Sequence, residues 1–348
     1  MSPPRLRYRR LFDVAKPGKR FDASRAYRVG DEPGGRYVYD EDEEERPGRI
    51  ELAVNVALAS GRPLLVRGLP GTGKSSLAAD VADRLGWRYY EEVVSSRTQA
   101  RDLQYTFDAI RRLSDAQVGS AAGQPDGDAA SPRGVADDAA YIKPGVLWWA
   151  FDREQASRRG LSPEELKRAK LEPAVDPADL ASNEQRRPRP SARAVVLIDE
   201  IDKADPDVPN DLLVPLGSFW FTVGDTRVEA RQPPLVIITT NEERDLPRAF
   251  VRRCVTLLLE PPGDERLRRI ARAHYPDDPD DATLEDILSH YRDLQKRQKS
   301  AGTTQASIAE FLDAVAACRS LGAKPGDPAL WQHVEELTLD KAANPQQS

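Results

Sequence analysis

Histidine and cysteine are scarce in this chain: three histidines and two cysteines among 348 residues. His274, His290 and His333 are scattered near the C-terminus, and Cys254 and Cys318 lie far apart. No metal-ligand spacing links them, which argues against a zinc centre or a histidine-based catalytic site. The two cysteines are expected to be reduced, in a cytoplasmic protein. No apolar run approaches the roughly 18–20 residues of a membrane span. The opening "MSPPRLRYRRLF" is basic but has no apolar stretch behind it, so it does not read as a secretory signal. A net charge of −6 excludes a global basic field for nucleic acid. What is present is ordinary for a soluble protein: 31% charged and 39% hydrophobic residues, on a chain long enough for one large domain and a small one.

Residues 1–46 read as an N-terminal arm rich in Arg, Gly and Pro, ending in the acidic run "YDEDEEERPG", which suits a solvated segment. From residue 47 to about 262 the pattern is globular. "LLVRG" is a short buried strand before a helix over 73–86, and "WRYYEEVVSS" is a second strand. "AVVLIDE" has almost nothing polar until its end, as in the centre of a parallel sheet covered on both faces. "FWFTVGDTRVEA" reads as a hairpin around Gly224-Asp225; "PLVIITTN" and "CVTLLLE" are further strands. Two polar insertions, about 115–140 and 158–192, have no apolar period and read as loops. Between them "YIKPGVLWWAFDRE" is expected to be helical after Pro144. Helices over 263–325 form a smaller domain, and 326–348 a tail with one short helix.

"GLPGTGKS", Gly68 to Ser75, matches the phosphate-binding loop G-x-x-x-x-G-K-[ST], in the strand-to-helix context that the motif requires. Gly68, Gly71 and Gly73 would let backbone N–H groups curl round a phosphate, with Pro70 and Thr72 in the same loop, at a helix N-terminus that adds partial positive charge. Lys74 would reach the β- and γ-phosphates and Ser75 would hold Mg²⁺, with Ser76 beside it. Asp199 and Glu200 end a hydrophobic strand, where side chains point into the ligand crevice of such sheets. Asp199 suits the Mg²⁺ shell and Glu200 suits polarisation of the attacking water. Asn241 ends the next strand and would orient that water; the alternative is a strand-exit turn. Arg252 and Arg253 follow a short helix, where arginine also suits a plain helix end.

The order P-loop, D-E strand, hairpin, T-T-N strand, then R-R resembles the AAA+ ATPases, specifically their MoxR-like branch, with CbbQ/NorQ and McrB as relatives. The stretches that carry it are "NVALASGRPLLVRGLPGTGKSSLA", "VVLIDEIDKADPDVPNDLL" and "VIITTNEERDLPRAFVRRC". The resemblance implies a P-loop AAA+ αβα sandwich (α/β, central parallel sheet) followed by a small all-α lid. It implies ATP with Mg²⁺, an ATPase reaction, and a homo-oligomeric ring, most often a hexamer. It makes Arg253, with Arg252 as second choice, an arginine finger reaching the γ-phosphate held by the neighbouring subunit. Two departures stand out. The branch's "DEINRA" reads "DEIDKA", with Asp202 and Lys203. Thr304 and Gln305 stand where a lid arginine or lysine is expected, with Lys299 nearby. Trp148 and Trp149 fall in the branch's "GPL" segment, facing either the pore or the core. The implied function is remodelling or activation of a partner protein, with a separate von Willebrand A-type polypeptide as companion. The alternatives are a McrB-like nucleic-acid motor and a slow nucleotide-dependent assembly switch in a defence system.

Overall fold

The computed structural model describes residues 11, 12, 14, 37–39, 48–121, 138–180, 191–275, 281–303, 305–322 and 328–339. They divide into two compact units, one within Met1–Lys19, Glu51–Val66 and Val81–Leu257, the other within Arg20–Ile50, Arg67–Asp80 and Leu258–Ser348.

The first unit is built on a five-stranded parallel sheet. Its strands are β1 (Leu64–Arg67), β2 (Arg88–Val93), β5 (Ala194–Asp199), β8 (Leu235–Thr240) and β9 (Val255–Leu258), in the order β2-β5-β8-β1-β9. All of β8, and β5 up to Ile198, is buried, so both faces are covered, as uninterrupted apolar strands require. β2 aligns Val93 with Asp199, and β5 aligns Ile198 with Ile238. β9 runs with β1, since Val255 N–H bonds Pro63 O and Leu259 N–H bonds Arg67 O. The helices α1 (Arg49–Ser60) and α2 (Lys74–Leu85) flank the start of this order in sequence. Two hairpins complete the strands: β3 (Tyr105–Phe107) with β4 (Ile142–Pro144), and β6 (Trp220–Val223) with β7 (Thr226–Glu229).

Helix α3 (Ala109–Ala121) corrects the first insertion at its start, because the chain is helical through 121 rather than looped from 115. Composition misses this because the helix is polar. Its side chains carry exposed ion pairs, Arg111 with Asp115 one turn on and Arg112 with Asp138 at 2.9 Å. Residues 122–137 lie outside the described ones. After β4 comes α4 (Val146–Phe151), in which every residue is buried. Trp148 and Trp149 therefore belong to the core and not to a pore or partner surface; Trp148 meets Phe221 edge-on at 6.4 Å.

The second insertion is likewise structured up to residue 180, and residues 181–190 lie outside the described ones. After α5 (Arg153–Ser157), it contains α6 (Pro163–Arg168) and α7 (Pro177–Leu180). α6 starts on a capping box of Ser162 and Glu165, with proline in its first turn. That signature satisfies orphan N–H groups and stands in the sequence as "SPEE". What anchors α7 is not local. Asp176 is buried and accepts from Arg88 Nη1 at 2.9 Å, Tyr90 Oη at 3.1 Å and Arg153 Nε at 2.5 Å. Asp179 accepts from the same two arginines. Arg88 and Tyr90 sit two residues apart on the sheet's edge strand, so this network ties Asp176 and Arg153 to one face of that strand. The described residues of this unit also include the short helices α8 (Val208–Asp211), α9 (Leu213–Ser218) and α10 (Arg248–Val251). Part of the arm belongs to it too. Phe12 is fully buried, and Asn55 of α1 fixes it, accepting from Leu11 and Phe12 N–H and donating to Phe12 O.

Among the described residues from Leu258 on, the second unit has the helices α11 (Asp264–His274), α12 (Asp281–Ala301), α13 (Ile308–Leu321) and α14 (Pro328–Thr338). Their apolar faces share one core, including Leu267, Tyr291, Phe311 and Trp331. Helix α14, which the sequence assigns to the tail, contributes Trp331 and Val334 to that core. α13 opens on a Ser307–Glu310 capping box and closes on Gly322 in the left-handed conformation, as helix starts and stops dictate. Arm residues 37–39 also pack in this unit. Arg266 donates to Val38 O at 3.0 Å, and Tyr39 Oη donates to Asp80 at 2.7 Å. The acidic run from 40 to 47 lies outside the described residues.

Candidate active site

In the second unit the P-loop closes on itself. Lys74 is buried, and its Nζ donates to Gly68 O at 2.9 Å and Leu69 O at 2.8 Å. Thr72 Oγ1 donates to Leu69 O at 2.9 Å. α2 begins at Lys74, and Leu77 N–H bonds back to Gly73 O. The loop thus turns directly into a helix N-terminus, whose dipole favours an anion. Two glycines are required by this path. Gly68 has φ +151°, and a Cβ there would stand 2.6 Å from Leu259 O. Gly71 has φ +72°, and a Cβ there would run into Ser307 at the start of α13. Pro70, Gly71 and Ser76 are exposed, while Thr72, Gly73 and Ser75 are half-buried.

In the first unit the carboxylates gather where β5 and β8 end. Asp199 is the last residue of β5 and Thr240 the last of β8. Thr239 Oγ1 makes a short hydrogen bond to Asp199 Oδ1 and accepts from Glu200 N–H at 2.8 Å. One hydroxyl therefore orders both acidic residues. Glu200 Oε1 accepts from Asn241 Nδ2 at 3.0 Å, and its Oε2 accepts from Lys203 Nζ at 2.6 Å. That hydrogen bond holds the Lys203 ammonium above its ordinary pKa. Asp202 is buried and accepts from Asn241 N–H at 3.1 Å and Glu243 N–H at 3.0 Å.

The backbone here is strained. Glu200 has φ 59° and Glu242 φ 61°, in the left-handed region that costs a side-chain-bearing residue about 1–2 kcal/mol. Such outliers persist where the surroundings over-determine them, most often at functional sites. In the sequence Thr239 is one residue of "TTN" with no signal of its own, and Asp202 and Lys203 stand out only as departures from the branch's pattern. A β-branched threonine in a buried strand reads as packing, and only the paired strands show its hydroxyl facing Asp199.

Arg252 and Arg253 follow α10 directly, and both are exposed. Among the described residues neither side chain makes a hydrogen bond or an ion pair. Lys299 is exposed on α12, Gln305 is half-buried, and Thr304 lies outside the described residues.

Among curated proteins none matches the chain. Solved structures similar to it include the Thermotoga maritima RuvB Holliday junction branch migration motor, at 16% identity and a TM-score of 0.41. That match covers 83% of this chain and 66% of that one. A second RuvB structure, of a mutant, gives 13% identity, 86% and 73% coverage and a TM-score of 0.41. A Cytophaga hutchinsonii protein assigned as an ATPase gives 14% identity, 83% and 79% coverage and a TM-score of 0.38. The family described as AAA domain (dynein-related subfamily) matches residues 63–254, more than half of the chain. With the parallel sheet, the P-loop at the end of β1 and the acidic pair at the end of β5, this match makes the chain a member of the dynein-related AAA domain family.

Proposed function

We propose that the protein is a Mg²⁺-dependent ATPase of the MoxR-like kind, which assembles as a ring and remodels or activates a partner protein. The observation that carries the reading is the ordered set Thr239–Asp199–Glu200–Asn241 at the ends of β5 and β8, in a chain whose P-loop leaves β1 of the same sheet. Lys74, Ser75 and the loop amides bind the phosphates. Ser75 and Asp199 offer hard oxygen donors of the type that suits Mg²⁺, which is held by one or two side chains together with substrate phosphates. The metal's contribution is to neutralise charge on the phosphates. Glu200 polarises the attacking water and takes its proton, and Asn241 orients that water. Arg253, with Arg252 beside it, acts on the nucleotide of the neighbouring subunit, where charge gathers on the transferred phosphoryl group. A guanidinium supplied in trans is worth roughly 10³–10⁵ in rate. Their exposure at the end of α10 supports this role.

The test is ATPase rate per subunit against protein concentration, for the wild type and Arg253→Ala. The reading expects a rate that climbs with concentration in the wild type and stays low in the variant while ATP still binds. A wild-type rate independent of concentration and unchanged in the variant removes the shared site.

A further inference from the structure

The short turn after β5, Ile201–Lys203, does more than leave the strand. Asp202 is buried, and its two carboxylate oxygens point away from solvent toward the loop that follows β8. There it accepts from the backbone N–H of Asn241 and of Glu243, residues about forty positions further along the chain. The next residue, Lys203, holds Glu200 Oε2, while Asn241 holds Oε1. The two adjacent side chains of one turn therefore fix both partners of the Glu200–Asn241 contact. Asp202 sets the backbone from which Asn241 projects, and Lys203 sets the far side of the carboxylate. Glu200 and Glu242 are both left-handed, so neither residue's path is the one its local preference selects. A tertiary anchor is needed to hold that arrangement, and Asp202 is the buried group that bridges the two segments.

We infer that Asp202 is a positioning residue for ATP hydrolysis, acting through Asn241 on the geometry of Glu200. This rests on the roles proposed above for Glu200 and Asn241. A buried carboxylate that accepts two backbone N–H groups could equally serve the fold alone, and the two roles differ in what they do to turnover. An anchor for Asn241 changes kcat and leaves nucleotide affinity alone, and its effect disappears once the Asn241 side chain is gone. A fold anchor lowers stability whichever side chain stands at 241.

The experiment is steady-state ATPase of the full chain as wild type, Asp202→Ala, Asp202→Asn, Asn241→Ala and the two double variants, with thermal melting of each. Misplacing a reacting group by about 1 Å costs on the order of 10²-fold. Asp202→Ala is therefore expected to lower kcat roughly 10- to 100-fold with KM for ATP within about twofold. Asp202→Asn keeps one acceptor oxygen for the two amides. Its expected loss is about two- to tenfold, the worth of one hydrogen bond, and it carries the test if the alanine variant does not fold. In the Asn241→Ala background either change should add less than about twofold, since coupled residues are not additive. A kcat equal to wild type, or losses that multiply in the double variants, overturns the inference while leaving ATP hydrolysis intact. A folded wild type that assembles yet hydrolyses no ATP overturns the proposed function, and this inference with it.

Discussion

At the scale of single residues, the proposed function separates the P-loop and the acidic pair into groups that bind and groups that react. Lys74 is buried against its own loop carbonyls, and its ammonium is the cation the motif brings to the phosphates. Lys74→Ala is expected to abolish ATP binding, read by nucleotide titration. Glu200→Gln keeps the shape and the Asn241 contact but removes the proton acceptor. Its kcat should fall roughly 10²–10⁴-fold, the range of general base catalysis, with ATP affinity preserved. Retained turnover would remove Glu200 from the reaction. Gly71→Ala places a Cβ in a left-handed turn and against Ser307. It should cost about 1–2 kcal/mol from the conformation alone, seen as a lower urea midpoint.

At the scale of elements, the best-anchored addition to the sheet is the clasp of Asp176 and Asp179 on Arg88, Tyr90 and Arg153. Asp176→Ala leaves Arg88 buried without its closest carboxylate, and breaking one side of a buried pair costs about 3–5 kcal/mol. Urea unfolding reads this directly, and a loss below about 1 kcal/mol, the value of a surface pair, would show the clasp to be superficial. The pH dependence has two limbs. Burial pushes the Asp179 carboxyl up, but the hydrogen bonds and charges of Arg88 and Arg153 outweigh it and hold it below the ordinary carboxylate range. A depressed carboxyl stabilises above its unfolded pKa, near 3.9, and that stability is lost as pH falls through the lower folded value. Burial and then the Asp176 charge push the Tyr90 phenol far up. Its contribution is complete below the unfolded pKa, near 10, and is lost as pH rises above that value. Unfolding free energy between pH 2 and 11 should therefore drop at both ends, and Asp176→Ala should flatten the alkaline limb. In the same unit Phe12→Ala should cost about 3–5 kcal/mol, because its ring is fully buried.

At the scale of the whole molecule, the proposed active site is completed by a second copy of the chain. Sedimentation with ATP and Mg²⁺ should show the wild type moving from small species to a ring, most often a hexamer in the MoxR-like branch. Glu200→Gln should stay assembled longer than the wild type because it does not turn ATP over. A particle that remains monomeric at every nucleotide and protein concentration would remove the ring. No described helix is long and apolar enough to cross a membrane.

Much of this protein is written locally. The P-loop, the buried strand ending in Asp199 and Glu200, the hairpin at Gly224-Asp225 and the Asn241 strand were each legible, because each rests on period, turn chemistry or a motif within about ten residues. The capping boxes at Ser162 and Ser307 are local in the same way. What the sequence leaves open are pairings across long separations. Helix α3 looks like a loop because its first turns expose Ile110 and Leu113 and bury no apolar face. Asp176 looks like one more surface acid until β2 is placed beside it. The arm looks solvated until Phe12 meets Asn55. Thr239, Asp202 and Lys203 gain their meaning only when β5 and β8 lie side by side, since a hydroxyl or a carboxylate has no assigned partner until folding brings one within hydrogen-bond reach. The sequence by itself determined which groups can bind phosphate and move a proton. Only the tertiary structure decided which neighbours hold those groups in place, because that depends on contacts whose cost in chain entropy is met by the sheet and its core.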